Sequence, residues 1–310
     1  MAATFDFRTM DGYYLRNALA MLKSETNVAT MIVDPKYVTL SLDTKKTTSG
    51  KANKETIEVA VQYWMQFKAK ENFPGFVYNS PLPYVSYSFM TKDMASVTKV
   101  VTKTDGVRFY HIESDDMLSI RALKRSNNPQ SSGASLVKIV QGQDIIATRK
   151  FDFPEEADAT MPVKEFSDRC KKANIQGCKY MILGVKGGVM SFKGVSPEGA
   201  VVFDEPYIIG DDYGEEDDED IEQGSFTSGV GFPALESSHF TTSTPLVSAE
   251  DSNDLTILIP TPLCKVYANH ITMCCNTNAI QKMYFDYRNK AVKIAFRISV
   301  IGKYHTVVSN

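Results

Sequence analysis

The sequence predicts an α+β protein made of two similar halves, each with two helices packed on β-sheet. Three observations predict it: an ordered internal repeat, alternation of apolar and polar residues between the helices, and a globular composition. With 310 residues, 43% of them hydrophobic and 23% charged, the chain accommodates one large domain or two of ordinary size.

The repeat comes in two parts. Thr9–Leu42 reads as helix, strand, turn, strand, and Thr160–Phe192 reads the same way in the same order. Phe89–Ile120 then opens with a helix from about Thr91 and continues as a two-strand hairpin, and Ile259–Ile298 does the same from about Pro262. In Val107–Tyr110 and Met283–Tyr287, aromatic and apolar residues interleave with polar ones, the pattern of half-buried strands. Asp105–Gly106 and Arg288–Asn289 stand where turns are needed. Gln141–Asp158 mixes apolar and charged residues without a helical period and reads as the connection between halves. The expected division is a first domain at 1–140, a connector at 141–158 and a second domain at 159–310. An insert at about 210–252 is acidic first, then rich in Ser, Thr and Gly, a composition expected of a disordered segment.

Each predicted helix has an apolar stripe and a second, polar face. Leu15, Ala18, Leu19 and Leu22 form the first stripe, with Arg16, Ala20 and Lys23 on another side. In the second helix Met94, Val97 and Val101 face inward, and Lys92, Ser96, Lys99 and Lys103 form a basic line. In the third, Val163, Phe166, Cys170 and Ala173 pack, Lys164, Asp168 and Lys171 line another side, and Arg169 and Lys172 lie beside them. In the fourth, Leu263, Val266 and Ile271 pack, and Lys265, Asn269 and Thr272 form a polar line with one base. A lysine line on one helix is usually a solvated face. Four such faces at equivalent repeat positions, set side by side, would merge into a basic surface that follows phosphates without reading bases.

Total charge does not oppose that reading. Residues 211–222 hold nine carboxylates and no base within a chain of net charge −3, so the remainder carries +6. The acidic block acts locally, because the Debye length is only ~8 Å at physiological salt. No apolar run approaches the ~18 residues of a membrane span. The N-terminus lacks the basic-then-apolar layout of a secretory signal. Five cysteines, none in a C-x-x-C pair, and four histidines predict reduced thiols, an intracellular location and no metal site or cofactor.

Catalytic chemistry has little to build on. Gly184, Gly187 and Gly188 sit at a hairpin position with no G-K-[ST] after them, so a turn is expected and not a phosphate cradle. Cys274 and Cys275 read as partly buried thiols, His270 as a packed or exposed histidine, Trp64 as core, and Asp115, Asp116 and Asp286 as residues in or near hairpins. No enzyme is expected.

Three segments resemble the eukaryotic-type sliding clamp family, the proliferating cell nuclear antigens. They are FDFRTMDGYYLRNALAMLK at Phe5–Lys23, MPVKEFSDRCKK at Met161–Lys172 and FRISVIGKYHTVV at Phe296–Val308. The order of elements extends the match across most of the chain, outside 44–56 and 211–252. The resemblance implies a DNA-clamp fold closed as a homotrimeric ring, with helices lining the hole and sheets outside. It implies sequence-independent binding of double-stranded DNA through Arg16, Lys23, Lys92, Lys99, Lys103, Lys164, Arg169, Lys171 and Lys265. A partner-peptide pocket would involve Leu42, Ile145, Ile146, Phe151, Tyr304 and Val307. Subunit contacts would use Leu136, Lys138 and Val140 on one edge strand and Val201 and Phe203 on another. A DNA polymerase, other peptide-bearing proteins and a clamp loader are the implied partners. The place of action would be the site of DNA replication, nuclear or, for a viral protein, cytoplasmic.

The chain departs from the family at its end, VVSN, and in its connector. A large DNA virus is a source that would suit such divergence, and a clamp-fold viral transcription factor without processivity activity is the alternative function. A nuclease using the acidic segment 211–222 is a third reading, disfavoured because an irregular run does not preorganise metal ligands.

Overall fold

The computed structural model describes residues 3–49, 56–112, 116–124, 135–140, 151, 153–209, 254–274, 276–299 and 302–309. The acidic stretch 211–222, Cys275, and Ile145 and Ile146 of the connector lie outside them.

In the first half the elements are β1 (Ala3–Thr9), α1 (Gly12–Glu25), β2 (Val28–Val33), β3 (Tyr37–Ser49), β4 (Thr56–Lys68), α2 (Ala69–Asn72), β5 (Val77–Tyr78), β6 (Val85–Met90), α3 (Thr91–Thr98), β7 (Gly106–Ile112), β8 (Met117–Leu123) and β9 (Ser135–Val140). In the second half they are β10 (Ala159–Pro162), α4 (Val163–Ile175), β11 (Tyr180–Lys186), β12 (Val189–Val195), β13 (Val201–Ile208), β14 (Leu255–Pro260), α5 (Thr261–Tyr267), a 3-10 turn (His270–Met273), β15 (Ile280–Asp286), β16 (Ala291–Ile298) and β17 (Gly302–Ser309). This is the α+β class the repeat predicts.

The strand order makes the repeat explicit. β4-β3-β2-β6 in the first half matches β13-β12-β11-β14 in the second, and β1-β7-β8-β9 matches β10-β15-β16-β17. Alternation drives each ladder: β11 buries Met181, Leu183 and Val185, and β12 buries Met190, Phe192 and Gly194. The turn between them holds Gly187 and Gly188 at φ 57° and 77°, a backbone open to glycine. The expected turn is therefore the one observed.

The halves are joined by sheet. β17 pairs antiparallel with β4 from Lys303↔Gln66 to Ser309↔Ala60, making one 13-stranded sheet across the chain. Under it, Tyr63 donates to Glu25 at 2.6 Å, and Lys46 lies 3.2 Å from the same carboxylate. Desolvation raises the Glu25 pKa against these two partners. Ser88 and Phe89 of β6 pair with Val140 and Ile139, so the end of β9 is already occupied.

The apolar stripes of α1 and α4 pack as the periodicity predicts, with Leu15, Leu19, Leu22, Phe166, Cys170 and Ala173 all buried. Two helix ends differ from expectation. α3 stops at Thr98, whose hydroxyl bonds back to the Met94 carbonyl at 2.9 Å, while Asp105 takes the Thr102 amide at 2.8 Å. Lys99 and Lys103 therefore stand beyond the helix, on the segment leading to β7. α5 likewise ends at Tyr267, placing Asn269 and Thr272 off its surface line.

Candidate nucleic-acid interface and subunit edges

The helices lie on one side of the sheets in a single row. α3 packs on α1, α1 on α5 and the 3-10 turn, and α5 on α4. Asn17 of α1 donates to the Thr272 carbonyl at 2.8 Å, a hydrogen bond that crosses from one half to the other. The sequence predicts polar faces at equivalent positions, and this packing brings their elements together.

Within the row the cations are held unequally. Lys23, Lys92, Lys99 and Lys103 are exposed and make no ion pair among the described residues. Arg16 donates to the Val101 carbonyl at 2.6 Å and lies 5.2 Å from the Tyr13 ring centre, which Lys103 also approaches. This groups two cations at the start of α1. On α4, Lys164 and Lys171 both reach Asp168 at 3.1 Å. Desolvation raises the Asp168 pKa, but the hydrogen bonds and charges of the two lysines together outweigh it and hold the pKa below its ordinary value. Lys265 on α5 is exposed.

Arg169 corrects the expected basic set. Its guanidinium is largely buried between Glu165 at 2.7 Å and Glu205 at 3.6 Å and lies 4.8 Å from the Phe192 ring centre. The helical turn that sets Lys164 and Lys171 outward sends Arg169 under β13. It is a packing residue and not a free cation.

The expected partner pocket is divided by the sheet. Leu42 pairs with Tyr63, which pairs with Thr306, and Thr306 bonds Tyr267 of α5 at 3.1 Å; this is the helix side. Leu42 and Tyr304 are fully enclosed there, Tyr304 against His270 and Phe296, so neither forms a surface pocket. Val307 takes the opposite face by alternation, in a row with Gln62 and Lys293. Lys293 lies 3.8 Å from the Tyr284 ring centre and 5.3 Å from that of Phe153, which neighbours Phe151 at 5.6 Å. Burial lowers the Lys293 pKa to about 8. On that face Trp64 of β4 also stacks on His305 of β17 at 5.1 Å, joining the halves; it is half-buried there and not core. Parity along β4 and β17 could have placed both rings outside, given which face the helices cover.

Of the two readings open for His270, packed or exposed, the structure shows the packed one. It is fully buried among Tyr267, Phe296 and Tyr304, and burial depresses its pKa to about 3. A neutral, enclosed imidazole is no general base for Cys274, itself buried. Among the described residues, no group of three or more His, Cys, Asp or Glu side chains is placed to hold a metal.

The two edge strands expected to carry subunit contacts are each open along one side among the described residues. Residues 135–138 of β9 pair with β8 on one side only, and β13 ends the four-stranded sheet. Leu136, Val201 and Val202 on these edges are 56%, 60% and 40% exposed, an arrangement that invites another strand. Two expected interface residues are placed otherwise. Phe203 turns inward beneath Lys172, and Val140 already pairs with β6.

Solved structures place this architecture. The proliferating cellular nuclear antigen of Entamoeba histolytica superposes with a TM-score of 0.63 at 10% identity, over 99% of each chain. The fold is that of the sliding clamp. A PCNA2–PCNA3 complex of Sulfolobus tokodaii matches with a TM-score of 0.62 at 10% identity over 98% of each chain. PCNA of Thermococcus kodakaraensis gives 0.62 at 10% over 99% of each. No protein-family profile and no curated protein sequence matches the chain. The clamp fold is thus carried here by strand order and helix packing, at an identity where few individual residues remain shared.

Proposed function

We propose that the chain is a subunit of a DNA sliding clamp: three copies close head to tail, the helices face duplex DNA, and the ring tethers a polymerase. The observation that carries this reading is the single row of four main helices on one side of a sheet continuous through both halves. Exposed lysines on that row would attract phosphates at any sequence, and a closed ring needs no tighter hold because its link to DNA is topological. Loose electrostatic contact also leaves it free to slide. The open edges of β9 and β13 are where copies would meet. The outer face around Phe151 and Lys293, over the buried Val307 and beside the connector, is where partner peptides would dock. No catalytic role is assigned to the subunit, which would act as a scaffold at the site of replication and be opened by a loader.

The test is primer extension on a singly primed circular template with a polymerase from the same source. The clamp should lengthen products at limiting enzyme, and linearising the template with free ends should abolish the gain as rings slide off. A protein that binds duplex DNA without lengthening products would instead be the clamp-fold transcription factor.

A further inference from the structure

Lys293 of β16 lies on the sheet face turned away from the helices, in the cross-strand row Tyr284, Lys293, Val307 and Gln62. It is half-buried there. Its ammonium sits 3.8 Å from the Tyr284 ring centre and 5.3 Å from that of Phe153, and it makes no hydrogen bond or ion pair among the described residues. Other lysines are held differently. Lys124 and Lys186 meet carboxylates at 2.7 and 2.9 Å, while Lys23 and Lys92 stand exposed to water. Both settings favour the protonated amine. Lys293 has neither.

The groups around it do not balance its charge. Asp286, two residues along β15, accepts from the Asn289 amide and side chain at 2.9 and 2.6 Å, and Asp43, beyond Gln62, accepts from Gln62 at 3.3 Å. On the connector side, Asp158 accepts from the Phe285 amide at 2.6 Å, and Glu155 and Glu156 are exposed. Lys303 of β17 adds a like charge near His305, whose own pKa, depressed to about 3 by burial and by Lys293 and Lys303, leaves it neutral above pH 4. Loss of water lowers the Lys293 pKa to about 8, whereas the Asp254 partner of Lys186 raises that lysine's. The Tyr284 face attracts the ammonium and opposes the drop, but a ring replaces none of the three hydrogen bonds an ammonium makes in water.

We propose that Lys293 is a modification site, an acyl acceptor on the outer face that takes acyl groups from activated donors such as acyl phosphates. The Nζ lone pair bonds to the acyl carbon, the acyl C–O bond breaks, phosphate leaves with the electron pair, and the proton of the ammonium passes to water. The amide formed is neutral, so acylation removes a half-buried charge that has no ionic partner. The proposal goes beyond the clamp reading and holds for a single chain as for a ring.

Competitive acylation of the full-length protein reads the amine directly. Trace labelling with acetyl phosphate between pH 6 and 10, then complete acetylation in guanidinium chloride with isotopically distinct acetic anhydride, gives a rate for each lysine by peptide mass spectrometry. At pH 7 a pKa of about 8 gives about 200 times the free-amine fraction of an ordinary lysine at ~10.4. Lower basicity weakens the nucleophile by about 10-fold, as it does for thiolates. Lys293 should therefore react about 10- to 20-fold faster than Lys23 and Lys92, and its rate should level off above pH 8. The unfolded chain should lose this advantage, and Lys293→Arg should remove the fast site while Lys23 and Lys92 keep their rates. A Lys293 rate that climbs with the others to pH 10 would show that the rings hold the ammonium and would overturn the proposal. So would a Lys293 left unlabelled in the folded chain while Lys23 and Lys92 react, since the amine would then be closed to donors.

Discussion

The two pairs of helices face the same way and use their charges differently. α1, α3 and the segment after α3 hold Lys23, Lys92, Lys99 and Lys103 exposed and without ion pairs among the described residues, with Arg16 and Lys103 gathered at Tyr13. α4 turns its charges on itself and its sheet: Asp168 binds Lys164 and Lys171, and Glu165 and Glu205 hold Arg169. Equivalent positions in a repeat need not keep equivalent electrostatics. A count of lysines therefore overstates the second half, and DNA passing the row should be held mainly by the first.

The sharpest way to break this comparison is to remove cations half by half. Lys92→Ala, Lys99→Ala and Lys103→Ala together should flatten the slope of log affinity against log salt by about 2 to 3, at ~0.9 per phosphate contact. Lys164→Ala, Lys171→Ala and Lys265→Ala together should flatten it by about 1. Fluorescence anisotropy on a duplex gives both slopes, and equal losses would refute the asymmetry.

A second effect sharpens the structural role of the later helices. The folded pKa of His270 is depressed to about 3, so the unfolded chain binds more protons below its ordinary value of ~6.5. Stability from the neutral ring is complete above ~6.5 and falls at ~1.4 kcal/mol per pH unit as pH drops toward 3. Between pH 7 and pH 5 the native chain should lose about 2 kcal/mol more than His270→Phe does in urea unfolding. Parallel losses would mean that the ring is solvated or protonated in the fold.

The smallest effect concerns Asp168. Asp168→Asn frees Lys164 and Lys171 and should steepen the salt slope by at most about 1, bringing the halves closer together. It should cost helix α4 only ~0.3–0.5 kcal/mol per lost pair. An unchanged slope in this variant would show that α4 lies away from phosphates even when its lysines are free.

Much of the architecture was legible because it is periodic. The stripe of Leu15, Leu19 and Leu22 and the alternation of Met181, Leu183 and Val185 each state which residues face a core, and the order of elements repeats. What periodicity does not state is which face of a two-sided sheet the helices cover. Leu42 and Tyr304 belong to the helix side, while Val307, Trp64 and His305 belong to the other, and one residue of parity separates the two sets. Helix ends were equally obscure, since Thr98 and Asp105 end α3 through side-chain bonds that no apolar pattern records. Arg169 departs from expectation for a third reason: besides Glu165 one turn earlier, its ion-pair partner Glu205 lies on a strand beyond the hairpin, a contact made only by folding.

The ladder between β4 and β17 has a mechanical consequence. Because seven residue pairs tie one half to the other, shearing the two halves apart along the ladder would strain its main-chain hydrogen bonds together. The two halves should therefore move as one stiff body, and in the proposed assembly any parting force would be relieved where one molecule ends and the next begins.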